Sequence, residues 1–169
     1  FSGVEVYREE RDWSVHDTIL DGEHQGSVVT ARAGTGAGKI DGFTITTSNA
    51  DGDDSLGRAC GGGLLNDGVS PTIRNCIFTE NRAKYYGGGI CNLNGAAPHI
   101  ESCTFTGNMV TSSSGGTGAD VHSQDSSPVI VSSNFIANSL ARGQGAALFN
   151  GGGSATVVGC TFEDNSARD

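Results

Sequence analysis

The stretch CIFTEN at 76–81 returns as CTFTGN at 103–108, SNFIAN at 133–138 and CTFEDN at 160–165. One phrase, Cys/Ser-x-Phe-x-x-Asn, restated at near-constant separation marks a repeat architecture. An aliphatic residue stands three positions before each Cys or Ser, at Ile73, Ile100, Ile130 and Val157, with an earlier copy at Ile40. Successive anchors are 33, 27, 30 and 27 residues apart. Five positions after them come Ile45, Phe78, Phe105, Phe135 and Phe162. Eight positions after come Asn81, Asn108, Asn138 and Asn165, with Ser48 in the first copy. Upstream lie Leu64, Ile90, Val121 and Leu148, each followed two residues on by Asn66, Asn92, Ser123 or Asn150.

The phase of these columns predicts the local structure. Alternate residues of a strand share a face, so Cys76 and Phe78 point together and Ile73 is out of step by one. A bend must intervene, at Gly42, Asn75, Ser102, Ser132 or Gly159; Gly and Asn tolerate the left-handed conformation it needs. A second phase break separates Phe78 from Asn81, and Gly-rich leads such as GGGL (61–64), GGGI (87–90), TGADV (117–121) and GAAL (145–148) open a third strand. Three short strands and three bends closing every 27–33 residues predict an all-β, right-handed parallel β-helix. The reading gives roughly six coils, about 25–30 Å of stack at the usual strand spacing. The solenoid is expected over 17–169, with 1–16 as an edge turn or cap.

Stacking turns columns into ladders. Phe78, Phe105, Phe135 and Phe162 become interior rungs, as do Cys76, Cys103 and Cys160, the thiols acting as small apolar fillers. Asn81, Asn108, Asn138 and Asn165 become an amide ladder, each able to bond the copies above and below. Cys76 and Cys103 lie on successive coils, close enough for a disulfide, but their parallel side chains suit stacking better. Cys60 and Cys91 lie outside that column beside equivalent Gly-rich turns and are the preferred disulfide in an oxidising compartment.

Composition excludes several functions. Ten Lys and Arg against 19 Asp and Glu leave a net charge of -9, and no basic cluster exists to bind a phosphate backbone. Nucleic acid is not an expected partner. No apolar run is long enough to span a membrane as a helix. There is no Asn-x-Ser/Thr sequon and no signal peptide, and a start at Phe1 reads as a processed or excised segment.

Phe-x-x-Asn repeated four times, alternating with Gly-Gly-Ala/Gly-Ile/Leu, resembles the passenger repeats of the chlamydial polymorphic membrane proteins. REERDWSVHDTILDG (8–22), KIDGFTIT and SPTIRNCIFTENRA are similar to large secreted repeat proteins of environmental bacteria and archaea. The resemblance covers about Thr18 to Asp169 and implies a right-handed β-helix, an extracellular or cell-surface location, and a scaffold or adhesive role. Thr117–Asp120 and Ser133 depart from the repeat.

Candidate chemistry is sparse. The wall positions Arg74 and Glu101 form an opposite-charge pair that cross-strand pairing alone explains. NADGDDS (49–55) carries Asp51, Asp53 and Asp54 like the start of a calcium loop but lacks the distal Glu. A turn is the better reading, and no cofactor is expected beyond weak calcium binding there. His16, His24, His99 and His122 are scattered, without metal-ligand spacing. Tyr85 and Tyr86 offer a sugar-stacking platform. No catalytic, cofactor or metal residue is assigned.

The expected function is a non-catalytic extracellular structural protein, its open last coil pairing head to tail with a second copy into a filament. An adhesin presenting loops 49–61 and 109–118 to a cell-surface glycan or protein is the second expectation. A carbohydrate-binding or polysaccharide-cleaving β-helix is the third.

Overall fold

The computed structural model describes residues 17–34, 38–52 and 59–168. The expected cap over 1–16 lies outside them. Every element in the described residues is a strand, which suits a chain rich in Gly, Ser and Thr, residues that weaken helices.

The strands pair in parallel, each with its counterpart one turn away, and build four faces. The Phe face stacks Ile19–Asp21, Thr44–Thr46, Ile77–Thr79, Thr104–Thr106, Asn134–Ile136 and Thr161–Glu163. The Ile face stacks Lys39–Asp41, Thr72–Arg74, His99–Glu101, Val129–Val131 and Thr156–Val158. The Gly-led face stacks Val29–Arg32, Leu64–Asp67, Ile90–Leu93, Val121–Gln124 and Leu148–Gly151. A fourth, short face stacks Asn49–Ala50, Arg82–Ala83, Met109–Val110, Ser139–Leu140 and Ser166–Ala167.

Each turn thus carries four strands where three were expected, and a short parallel pair, Gly116–Thr117 with Gly143–Gln144, gives two of the turns a fifth. The fourth strand is two residues long, too short for alternation to reveal it, and it begins immediately after the repeated Asn at 81, 108, 138 and 165. Five turns complete all four faces, and Ile19–Asp21 adds a sixth strand to the Phe face alone. The expected register holds through the columns: Phe78 pairs with Phe105, Phe105 with Phe135 and Phe135 with Phe162. Ile40, Ile73, Ile100, Ile130 and Val157 likewise lie in one register.

Corners come from left-handed residues. The bend between the Ile and Phe faces has positive φ at Gly42, Asn75, Ser102, Ser132 and Gly159 (73°, 50°, 54°, 49° and 64°). The Gly-Gly-Gly lead uses glycine for two different reasons. Gly87 has φ of 58°, a conformation that opposes any Cβ. At Gly88 the obstacle is space, because an added Cβ would lie 2.6 Å from the Ala119 carbonyl oxygen of the next turn.

The core is continuous from turn to turn. Ile45, Phe78, Phe105 and Phe135 are fully buried beside Leu64, Ile73, Ile90, Ile100 and Ile130. The phenyl rings stack with centroids 5.0, 4.8 and 4.9 Å apart and planes within 9°. Stacked rungs, set by the strand spacing, fix that distance and leave each ring no lateral slack. Exposure ends the ladder unevenly: Phe162 on the last turn is 49% exposed, while Phe135 is at 0%.

Truncating the middle of the ladder should therefore cost far more than truncating its end. In urea denaturation followed by circular dichroism, Phe105→Ala is expected to lose about 3–5 kcal/mol. Phe162→Ala should lose about 1 kcal/mol or less, because half of its surface already meets water. Equal losses would mean that the rings do not form one interior column.

Candidate functional site

The repeated asparagines are brought together in one ladder. The backbone N–H of Asn81 donates to Asn108 Oδ1 at 3.0 Å, that of Asn108 to Asn138 Oδ1 at 2.9 Å, and that of Asn138 to Asn165 Oδ1 at 3.1 Å. Each Nδ2 reaches back to the preceding turn. Asn81 Nδ2 donates to the Ile45 carbonyl at 2.8 Å, Asn108 to Phe78 at 2.9 Å, Asn138 to Phe105 at 3.1 Å and Asn165 to Phe135 at 2.8 Å. One side chain therefore satisfies a donor and an acceptor on the preceding turn where the strand ladder breaks at the corner. Either group left buried and unpaired would cost about 1–3 kcal/mol.

The second asparagine column is shorter. Asn66 Nδ2 donates to Asn92 Oδ1 at 2.9 Å, and Asn92 Nδ2 to Ser123 Oγ at 3.1 Å. Asn150, expected next, turns away to the Gly153 carbonyl at 3.3 Å and is exposed.

Asp120 is the residue that the repeat columns did not single out. It takes the interior position that Gly63 and Gly89 fill on earlier turns, and it is fully buried. Its Oδ1 accepts from Asn108 Nδ2 at 2.8 Å, while Oδ2 has no partner among the described residues. Desolvation pushes its pKa well above the ordinary carboxylate value, against the smaller opposing effect of the Asn108 hydrogen bond. The one sequence signal was the departure of TGAD from Gly-Gly-Gly at 117–120.

The thiols occupy two places. Cys76 and Cys103 are buried on successive turns of the interior column, with Cys160 half-buried two turns beyond Cys103. Cys60 and Cys91 lie in a small cluster with Leu65, against Tyr86 and Leu93. No disulfide joins these two, or any other pair of cysteines, in the structure. Register sets the two apart. Cys60 pairs with Tyr86, and Tyr86 with Thr117, in a column before the glycine corner. Cys91 belongs after that corner, between Leu65 and His122. The two cysteines thus occupy different columns on different turns.

That corner also absorbs the tyrosines and one histidine. His122 Nδ1 is 2.7 Å from Thr117 Oγ1, and its ring lies between Tyr86 and Phe149, with centroids 4.8 and 5.4 Å away. Burial lowers its pKa to about 4, so it is neutral at physiological pH. Tyr85 and Tyr86 meet at 42° with centroids 5.9 Å apart, which is not a flat stacking platform.

On the outer Ile face, Arg74 Nε donates to Glu101 Oε2 at 2.6 Å, and His99 lies 3.6 Å from the same oxygen. The Arg74 hydrogen bond is the main reason the Glu101 pKa is lowered. A shallow groove of about 260 Å³ opens near Thr30, Arg32, Asn49 and Asp51. Asp51 accepts from Asn49 Nδ2 at 3.0 Å, while Asp53 and Asp54 of the calcium-like loop, and His16, lie outside the described residues. No cluster of three His, Cys, Asp or Glu able to hold a metal ion occurs among the described residues.

A family model described as the right-handed beta helix region matches residues 2–168, and the chain belongs to that family. No curated protein and no solved structure matches it. The family contains both enzymes and non-enzymes, so membership fixes the architecture and leaves the activity open.

Asp120 carries a pH signature with a definite sign. A carboxyl whose folded pKa is raised contributes stability fully present below its unfolded value of about 3.9 and lost as pH rises through the folded value. The melting temperature of Asp120→Asn should therefore exceed that of the wild type at neutral pH by about 4 °C or more. The gap should close towards acid pH. Parallel profiles for the two proteins would show that Asp120 is not held as the neutral acid.

Proposed function

We propose that the chain is a non-catalytic structural β-helix of an extracellular or cell-surface assembly, built by stacking copies end to end. The observation that carries this reading is where apolar surface meets water. Among the described residues, the exposed large hydrophobics are Ile19, Val157, Val158 and Phe162, all on the first strand or the last turn. The columns of Val157 and Phe162 are buried on intervening turns, at Ile73, Ile100, Ile130, Phe78, Phe105 and Phe135, whereas Ile19 and Val158 stand in outer-wall columns with Thr44 and Val131. Asn165, Phe162 and Val157 stand in register with their predecessors and present to a further rung what each inner turn presents to the next.

A second copy seated on that rung would bury the Phe162 ring and continue the parallel ladders, as a strand added to a sheet edge does. Such a contact is head to tail and does not close on itself, so it propagates into a filament. The interior supports the non-catalytic part of the reading, since its asparagines and phenylalanines are engaged in holding turns together. The resemblance of Phe-x-x-Asn to surface-protein repeats supports the location.

Sedimentation velocity over a wide concentration range tests the proposal. The average mass should rise with concentration, negative-stain images should show rods of uniform width, and Phe162→Asp should weaken association at least tenfold while leaving the circular dichroism spectrum unchanged. A protein that stays monomeric at every concentration contradicts it.

A further inference from the structure

The interior column that contains Phe43, Cys76, Cys103, Ser133 and Cys160 has a feature that simple apolar filling does not require. Its polar members point their side chains back to the carbonyl two residues earlier. Cys76 Sγ lies 3.0 Å from the Arg74 oxygen, Cys103 Sγ 3.4 Å from Glu101, Ser133 Oγ 2.9 Å from Val131 and Cys160 Sγ 3.5 Å from Val158. All four positions therefore hold one rotameric arrangement, dictated by the corner. In that arrangement Cys76 and Cys103 are adjacent rungs, set between the paired residues Arg74 and Glu101 on one side and Ile77 and Thr104 on the other. Ser133 interrupts the column, so Cys160 has no thiol on the neighbouring rung.

We propose that Cys76 and Cys103 are a redox pair that closes into a disulfide staple between two successive turns when a small-molecule disulfide is available as oxidant. The inference stands apart from the assembly reading and would hold for a monomer.

The geometry permits the bond. Adjacent rungs of a parallel sheet are about 4.8 Å apart, inside the Cα separation of 4.4–6.8 Å that disulfides span. The roles of the two sulfurs differ. The Cys103 side chain beside it holds the Cys76 pKa down, and the neighbouring Cys76 together with burial pushes that of Cys103 up. Cys76 is thus the attacking thiolate and Cys103 the resolving thiol. The Cys76 thiolate attacks one sulfur of the oxidant, forming a mixed disulfide and releasing one thiol. Cys103 loses its proton and displaces the second thiol from Cys76. In sum, two protein thiols and one external disulfide become one protein disulfide and two external thiols. Both sulfurs are buried, so the exchange runs through local opening of the rung or during folding.

Cys103 follows Cys76 by 27 residues, and this is the span that the staple closes. Stabilisation of the oxidised form follows from restricting the unfolded chain.

The test treats reduced full-length protein with oxidised glutathione, followed by intact mass measurement and non-reducing peptide mapping. A loss of two hydrogens, a peptide joining Cys76 to Cys103, and a reductant-reversible rise in melting temperature on the order of 10 °C are expected. Cys76→Ser and Cys103→Ser should each abolish the cross-link. Serine already stands in this column at 133, so these variants retain its hydrogen bond. Cys60→Ser with Cys91→Ser should leave the cross-link intact. An unchanged mass, or a cross-link joining Cys60 to Cys91, overturns the proposal.

Discussion

A solenoid turn must satisfy its backbone at corners, where the strand-to-strand ladder is broken and a buried N–H or C=O has no neighbour to meet. In this chain one carboxamide per turn meets that requirement. Asn108 accepts from the Asn81 backbone and donates to the Phe78 carbonyl, and Asn138 and Asn165 do the same one and two turns further on. The phenylalanine and asparagine of the repeated phrase are thereby coupled. The ring fills the core of its own turn, and the carbonyl of the same residue anchors the asparagine of the next. Changing the register by one residue would lose the stacking and the amide bonds together, so the period is strongly specified.

This arrangement leaves little of the interior for other work. Phe, Ile and Asn columns are engaged turn after turn, and the positions that break them are informative for that reason. Asp120 introduces a buried acid where glycine otherwise stands, and Ser133 separates one thiol from the pair below it. On the outer wall, chemistry is concentrated in the Arg74–Glu101–His99 cluster of the Ile face, while the contact of Thr117 with buried His122 lies at the glycine corner. Apolar surface left over appears at the ends. A right-handed β-helix organised in this way separates holding itself together from meeting its surroundings, and the proposed assembly uses only the latter.

Much of this was legible in the residues. Phase breaks around Asn75 and Ser102 correctly required left-handed corners, because a period of two cannot absorb the three-residue step from Ile73 to Cys76. The parallel stacking of Phe78, Phe105, Phe135 and Phe162 followed from the repeat alone. The strand at 82–83 did not, since two residues carry no alternation to read. Nor did the placement of Cys60 and Cys91 in different columns. Their likeness as cysteines beside glycine runs concealed that one precedes a corner and the other follows it. Asn150 shared a sequence column with Asn92 and yet points to Gly153, because no described turn beyond it offers a side-chain partner.

The central claim is that the asparagine ladder ties each turn to the next. Residue-resolved amide hydrogen exchange tests it most directly. The backbone amides of Asn81, Asn108 and Asn138 donate to side-chain oxygens of the following turn. They should exchange only through global unfolding, with protection of about 10⁴-fold or more. The Asn165 amide, on the last described turn, should exchange much faster. Fast exchange at Asn81, Asn108 and Asn138, comparable with exposed loop amides, would contradict the account.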